Sequence, residues 1–204
     1  QFQPEHYDLT LDIDRDAMSF TGTVVIKGKK TGRPSERLTF HQKGLKITSA
    51  TITKHDKKGD QTLVVKRINN QDSYDEVRLH TEDMAYPGDY TVALQFSGHI
   101  NKDMHGIYPC FFKHNGEAKK LIATQFESHH AREALPCIDE PEAKATFDLT
   151  LVTPSGETVL ANTPVKKSDA KNNRQITSFE TTPKMSVYLL AFVFGEMGYK
   201  SAKT

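Results

Sequence analysis

Four segments of the chain alternate apolar and polar residues with a period of two. Tyr7, Leu9, Leu11 and Ile13 are interleaved with His6, Asp8, Thr10 and Asp12. Phe20 and Gly22 lead into Val24 and Ile26, and Tyr90, Val92, Leu94 and Phe96 alternate with Thr91, Ala93 and Gln95. Phe147, Leu149 and Leu151 alternate with Asp148 and Thr150. Successive side chains of a strand point to opposite faces, so each segment predicts a strand with one buried face and one wet face. An amphipathic helix needs its apolar residues three and four apart, and these segments lack that spacing.

Turn chemistry separates the runs. Lys57-Lys58-Gly59-Asp60, Tyr86-Pro87-Gly88-Asp89, His114-Asn115-Gly116 and Pro154-Ser155-Gly156 each interrupt or precede an apolar run. Gly supplies positive φ, Pro presets φ, and Asn and Asp close short turns. The expected fold is all-β, with roughly ten to a dozen short strands in antiparallel, sandwich-like or barrel-like sheets. The run Val187–Phe194 has no polar alternation and predicts a strand covered on both faces. One stretch, residues 128–135, has helix formers and no β-branched residue. It predicts a turn or two of helix, with Ser128 as N-cap and Pro136 as terminator.

Composition narrows the function classes. The 204 residues carry 27 Lys+Arg against 26 Asp+Glu, a balance that argues against nucleic-acid binding. The longest apolar run is far below the ~20 residues of a membrane-spanning helix, so no membrane partner is expected. The Lys pairs 29-30, 57-58, 119-120 and 166-167 read as solvated loop lysines. Cys110 and Cys137 read as buried free thiols, with a disulfide between them as the alternative. Residues 1–204 are taken as one β domain. The sequence opens on Gln1 with no charged and apolar leader. The expectation is a chain that starts inside a longer protein, in the cytoplasm.

No catalytic machine is complete within the chain. Among nine His, no two are four apart, so H-E-x-x-H is absent, as are C-x-x-C, G-x-S-x-G and the P-loop. His129-His130 reads as a surface pair rather than a metal site, and no metal ligand or catalytic residue is assigned. Residues 105–141 combine aromatics, both thiols and polar residues at a strand-to-helix junction. Gln125 and Glu127 lie two apart on the expected strand and share a face, with Phe126 turned to the core. From the residues alone they are a sheet-edge polar pair or part of a ligand site.

The segment Thr124-Gln125-Phe126-Glu127, then Ala131-Arg132, Pro136-Cys137-Ile138-Asp139-Glu140-Pro141 and Lys144-Ala145-Thr146-Phe147, resembles the aminopeptidase N family of zinc metallopeptidases. Gly106-Ile107-Tyr108, Leu160-Ala161-Asn162-Thr163-Pro164 and Thr182-Pro183-Lys184-Met185-Ser186-Val187-Tyr188-Leu189-Leu190-Ala191 resemble further elements of that family. The resemblance covers essentially the whole chain, with Leu135 and Ile138 standing where Phe is common. It implies the family's saddle-shaped, all-β N-terminal domain. It also implies a following catalytic domain with H-E-x-x-H, a third Glu ligand, a Gly-Ala-Met-Glu-Asn loop and a catalytic Tyr. In such a parent, a zinc-bound water with a Glu base attacks the first peptide carbonyl. Phe194-Gly195-Glu196-Met197-Gly198 lacks the order of that loop.

By the same resemblance, Glu127 matches the glutamate that binds the substrate's α-ammonium, and Gln125 matches the glutamine lining the first side-chain pocket. Arg132, Cys137, Asp139 and Glu140 read as architecture, with Arg132 pairing one of the acids. The implied partners are peptide N-termini and the catalytic domain of the same polypeptide. Zinc is implied for that domain, and none is expected to bind here. A non-catalytic protein-interaction scaffold of the same fold is the alternative. A carbohydrate-binding β-sandwich is disfavoured, because no Trp is present to stack a sugar.

Overall fold

A computed structural model describes residues 1–198 and 202. The described residues form fifteen strands: β1 (Phe2–Asp14), β2 (Ser19–Lys30), β3 (Ser35–His41), β4 (Lys46–His55), β5 (Gln61–Leu63), β6 (Val65–Gln71), β7 (Glu76–Ala85), β8 (Gly88–His99), β9 (Gly106–His114), β10 (Glu117–Gln125), β11 (Thr146–Pro154), β12 (Thr158–Ala161), β13 (Val165–Lys171), β14 (Arg174–Phe179) and β15 (Phe192–Gly195). Among the described residues the only helical elements are single 3-10 turns. The all-β expectation holds, and no helix among the described residues is long and apolar enough to cross a membrane. There are more strands than the turn spacing predicts. Pieces such as β5, β12 and β15 are three or four residues long, too short to show a period.

The strands form three sheets. The largest has the order β13-β14-β11-β1-β2-β8-β4-β5, the second β12-β15-β10-β9, and the third β3-β7-β6. Every pairing is antiparallel except β1 with β11, which run parallel from His6 opposite Thr146 to Asp12 opposite Val152. The period-two segments supply the middle of the large sheet. Tyr7, Leu9, Leu11, Ile13, Phe20, Val24, Ile26, Tyr90, Val92, Leu94, Phe96, Phe147, Leu149 and Leu151 are all buried. Burying a large apolar side chain contributes roughly 1.5–3 kcal/mol, so this one face holds the sheet to the rest of the fold. Tyr7 stacks on Phe147 with ring centroids 4.9 Å apart, locking the parallel pair.

Two local features follow from glycine. Gly28 faces the irregularity in β1 between Pro4 and His6, where a Cβ would sit 2.3 Å from the Gln3 carbonyl oxygen. Asn115 and Gly116 both take positive φ, as a two-residue hairpin demands, and join β9 to β10.

Three expectations need correction. Val187–Phe194 is not one strand. Val187–Leu189 is a 3-10 turn, and the strand is confined to Phe192–Gly195. The Asn162 side chain explains the break: its Nδ2 donates to the Leu189 carbonyl at 2.9 Å, and its Oδ1 accepts from the Ala191 N–H at 2.7 Å. Those backbone groups are therefore withdrawn from a ladder, and Leu189 is exposed. Lys30 is not a solvated loop lysine. It lies buried at the end of β2, its Nζ donating to the Arg33 carbonyl at 2.6 Å, and burial lowers its pKa. The turn in 128–135 is shorter than predicted, spanning Ala131–Glu133 with His130 at its cap position. Ser128 does not cap it, because its hydroxyl bonds His129 Nδ1 at 2.7 Å.

Candidate functional site

Strand β10 pairs along its whole length with β9 and ends with Gln125 opposite Gly106. Phe126 is buried, while Gln125 and Glu127 on either side are exposed. The out-in-out alternation thus survives, although Glu127 lies past the strand end in a turn rather than on the strand. That turn is closed by the His130 N–H donating to the Phe126 carbonyl at 2.9 Å. Among the described residues, neither the Gln125 nor the Glu127 side chain has a hydrogen-bond or ion-pair partner in the fold. A carboxylate and an amide with free bonding capacity therefore stand together at one sheet end.

The segment that follows this turn carries a dense polar brace. Arg132 Nε donates to Asp139 Oδ2 at 3.0 Å, and its Nη2 donates to the Asp139 carbonyl at 3.3 Å. The Asp139 side chain is only 2% exposed. The Asp139 N–H donates to His41 Nδ1 at 3.0 Å, and the Ile138 N–H donates to the Tyr7 hydroxyl at 3.1 Å. His41 and Cys137 exchange both backbone hydrogen bonds, at 2.7 and 3.1 Å. The segment after the turn is thus sewn to β3 and β1, and the pairing of Arg132 with an acid is as expected. Both cysteines are free thiols. Cys137 is buried, and burial pushes its thiol pKa well up, so it is an inert core group. Cys110 is only half-buried, which departs from the expected buried pair.

His41 makes this brace sensitive to acid. Burial, then the Arg132 charge, hold its pKa below the ordinary value, opposed by Glu140, Asp139 and Glu76. The acceptor role of Nδ1 also requires the neutral ring. The unfolded chain therefore takes up the proton more readily than the folded one. The stabilisation is complete above about pH 6.5 and is lost as pH falls through that value toward the lower folded-state pKa. The expected result is a melting temperature that falls between about pH 7.5 and 5.5, with a visibly flatter fall in His41→Asn. Equal slopes in thermal melts of the two proteins would remove His41 from this role.

The histidines bring a further correction. His129 is exposed, but His130 is half-buried and stacks on His105 with centroids 4.1 Å apart. Glu133 receives both rings: His105 Nδ1 lies 2.8 Å from Oε2 and His130 Nδ1 lies 3.0 Å from Oε1. Burial pushes the Glu133 carboxyl up, but the hydrogen bonds from His130 and His105 together outweigh it and leave the pKa below the ordinary value. A search at four-residue spacing passes over this cluster. In a 3-10 turn residues three apart eclipse, and His130-x-x-Glu133 is the signal.

The profile of the Peptidase M1 N-terminal domain matches residues 3–189. The chain belongs to this family. Aminopeptidase N of Lactococcus lactis subsp. lactis is 43% identical over 206 residues, covering 100% of this chain and 22% of that protein. Aminopeptidase N of Lactobacillus delbrueckii subsp. lactis is 39% identical, covering 96% of this chain and 21% of its own length. The Saccharomyces cerevisiae protein called aminopeptidase 2, mitochondrial, is 34% identical over 98% of this chain and 21% of that relative. The chain thus spans about a fifth of the length of these relatives.

Proposed function

We propose that this M1 N-terminal domain is the amine-recognising part of a zinc aminopeptidase, with Glu127 binding the α-ammonium of a peptide and Gln125 lining the pocket for its first side chain. The observation that supports this most is the pair of exposed, unengaged polar groups flanking buried Phe126, at the matching positions of the family motif. A free N-terminus differs from an internal peptide by one positive charge. A carboxylate at a fixed position gives that charge a charge-assisted hydrogen bond and sets how far the peptide enters. The His130 N–H bond to the Phe126 carbonyl closes the turn that carries Glu127 and supports a fixed position for it.

The catalytic zinc of such an enzyme is not assigned to residues of this chain. The H-E-x-x-H donor set is absent from the sequence, so no step of the reaction is assigned to the metal here. The remaining work, holding the amine and orienting the first residue, falls to Glu127 and Gln125. The test uses the full-length polypeptide that contains these residues. It is expected to hydrolyse an aminoacyl anilide, to stop on treatment with a zinc chelator and to recover with Zn²⁺. A folded, full-length protein with no turnover would overturn this reading in favour of a non-catalytic interaction scaffold.

A further inference from the structure

We propose that His105, His130 and Glu133 form a binding site for a late first-row divalent cation of the Zn²⁺ class. The three residues come from two segments that the fold forces together. His105 immediately precedes β9, whose first residue, Gly106, is paired with Gln125 at the end of β10. The turn that follows β10 carries His130 and Glu133, three apart and therefore on one side of the 3-10 turn. One donor atom from each of the three residues lies within 4.8 Å of the others. Both Nδ1 atoms converge on one carboxylate, at 2.8 and 3.0 Å. Donors around a tetrahedral Zn²⁺ stand roughly 3.3 Å apart, as bond lengths near 2.0–2.1 Å require. A slight opening of the existing contacts accommodates the ion, which displaces the protons now shared between imidazole and carboxylate.

The donor set selects the ion. Two imidazoles and one carboxylate suit Zn²⁺, Co²⁺ or Ni²⁺, whereas Ca²⁺ and Mg²⁺ require more oxygen ligands. The surroundings are compatible with binding. Asn101 Nδ2 donates to Glu133 Oε2 at 3.2 Å and can continue to orient the carboxylate once it is a ligand. Lys43 Nζ, 3.7 Å from Oε1, is the competing cation, and its half-exposed chain is free to swing into solvent. The side chains of His105 and His130 are 32% and 21% exposed, which leaves an entry path and room for a water as fourth ligand.

Titration of the chain with Co²⁺, followed by its visible absorption, and with Zn²⁺, followed by calorimetry, is expected to give a single saturable site. His105→Ala, His130→Ala and Glu133→Gln are each expected to weaken binding by at least about tenfold, while His129→Ala leaves it unchanged. Circular dichroism of the metal-free variants checks that they fold. Ring ¹⁵N spectra of the unaltered chain provide a readout independent of mutation: Zn²⁺ should move the His105 and His130 signals before those of any other histidine. Absence of saturable binding, equal affinity in folded variants, or first shifts at other histidines would overturn the site.

Discussion

Full-length protein carrying Glu127→Ala is expected to lose about 10- to 150-fold in kcat/KM toward an aminoacyl anilide, with its zinc content and fold intact. The magnitude follows from the interaction removed. A hydrogen bond to a charged group contributes roughly 1.5–3 kcal/mol, and each 1.36 kcal/mol is about tenfold in rate. The fold should tolerate the change, because Glu127 is exposed and has no partner among the described residues. Surface substitutions of that kind stay within about 0.5 kcal/mol. The split between constants carries information too. A rise in KM alone means that the amine is held equally in ground and transition states. A fall in kcat means that its position matters for the reacting bond. Unchanged kinetics would remove Glu127 from the site.

Asp139→Ala is expected to have the largest effect on stability. Its side chain is 2% exposed and that of its partner Arg132 is 13% exposed, so truncation leaves a largely buried guanidinium without its closest anion. Breaking such a pair costs about 3–5 kcal/mol. For a chain of this size that lowers the melting temperature by roughly 6–20 °C. Asp139→Asn keeps the shape and one acceptor, and should fall between Asp139→Ala and the unaltered protein. Denaturant unfolding measures both. A loss under about 1 kcal/mol would mean that Asp75, 3.9 Å from Arg132 Nη1, takes over the charge.

The large sheet was legible in the sequence because one face of each central strand is apolar and the other is not. Tyr7 to Ile13 and Tyr90 to Phe96 show this directly: Tyr7, Leu9, Leu11, Ile13, Tyr90, Val92, Leu94 and Phe96 are all buried. The parallel neighbour of β1 was not legible, since the same alternation serves either direction of pairing. Val187–Phe194 misled for a different reason. Its apolar content signals burial, but its conformation is set by Asn162, a residue far away in sequence that takes up Leu189 and Ala191. At the candidate site, Gln125, Phe126 and Glu127 kept their predicted alternation of faces even though the strand stops at Gln125. Only the His130-x-x-Glu133 spacing of the His105–His130–Glu133 cluster was open to reading; the arrival of His105 depends on the β9–β10 register, and the shared side on a 3-10 rather than an α-helical turn. The pairing of Arg132 with an acid was anticipated. The bonds from the Asp139 N–H to His41 and from the Ile138 N–H to Tyr7 were not, since they join residues about a hundred or more positions apart.

The role of Glu127 as the group that reads a free amine is tested most directly by a ratio of affinities. Full-length protein is titrated with an aminoacyl ligand bearing a free α-amine and with its N-acetyl counterpart, and the comparison is repeated in Glu127→Gln. The predicted result is a strong preference for the free amine in the unaltered protein, reduced by about tenfold or more in the variant. The same preference in both proteins would contradict it.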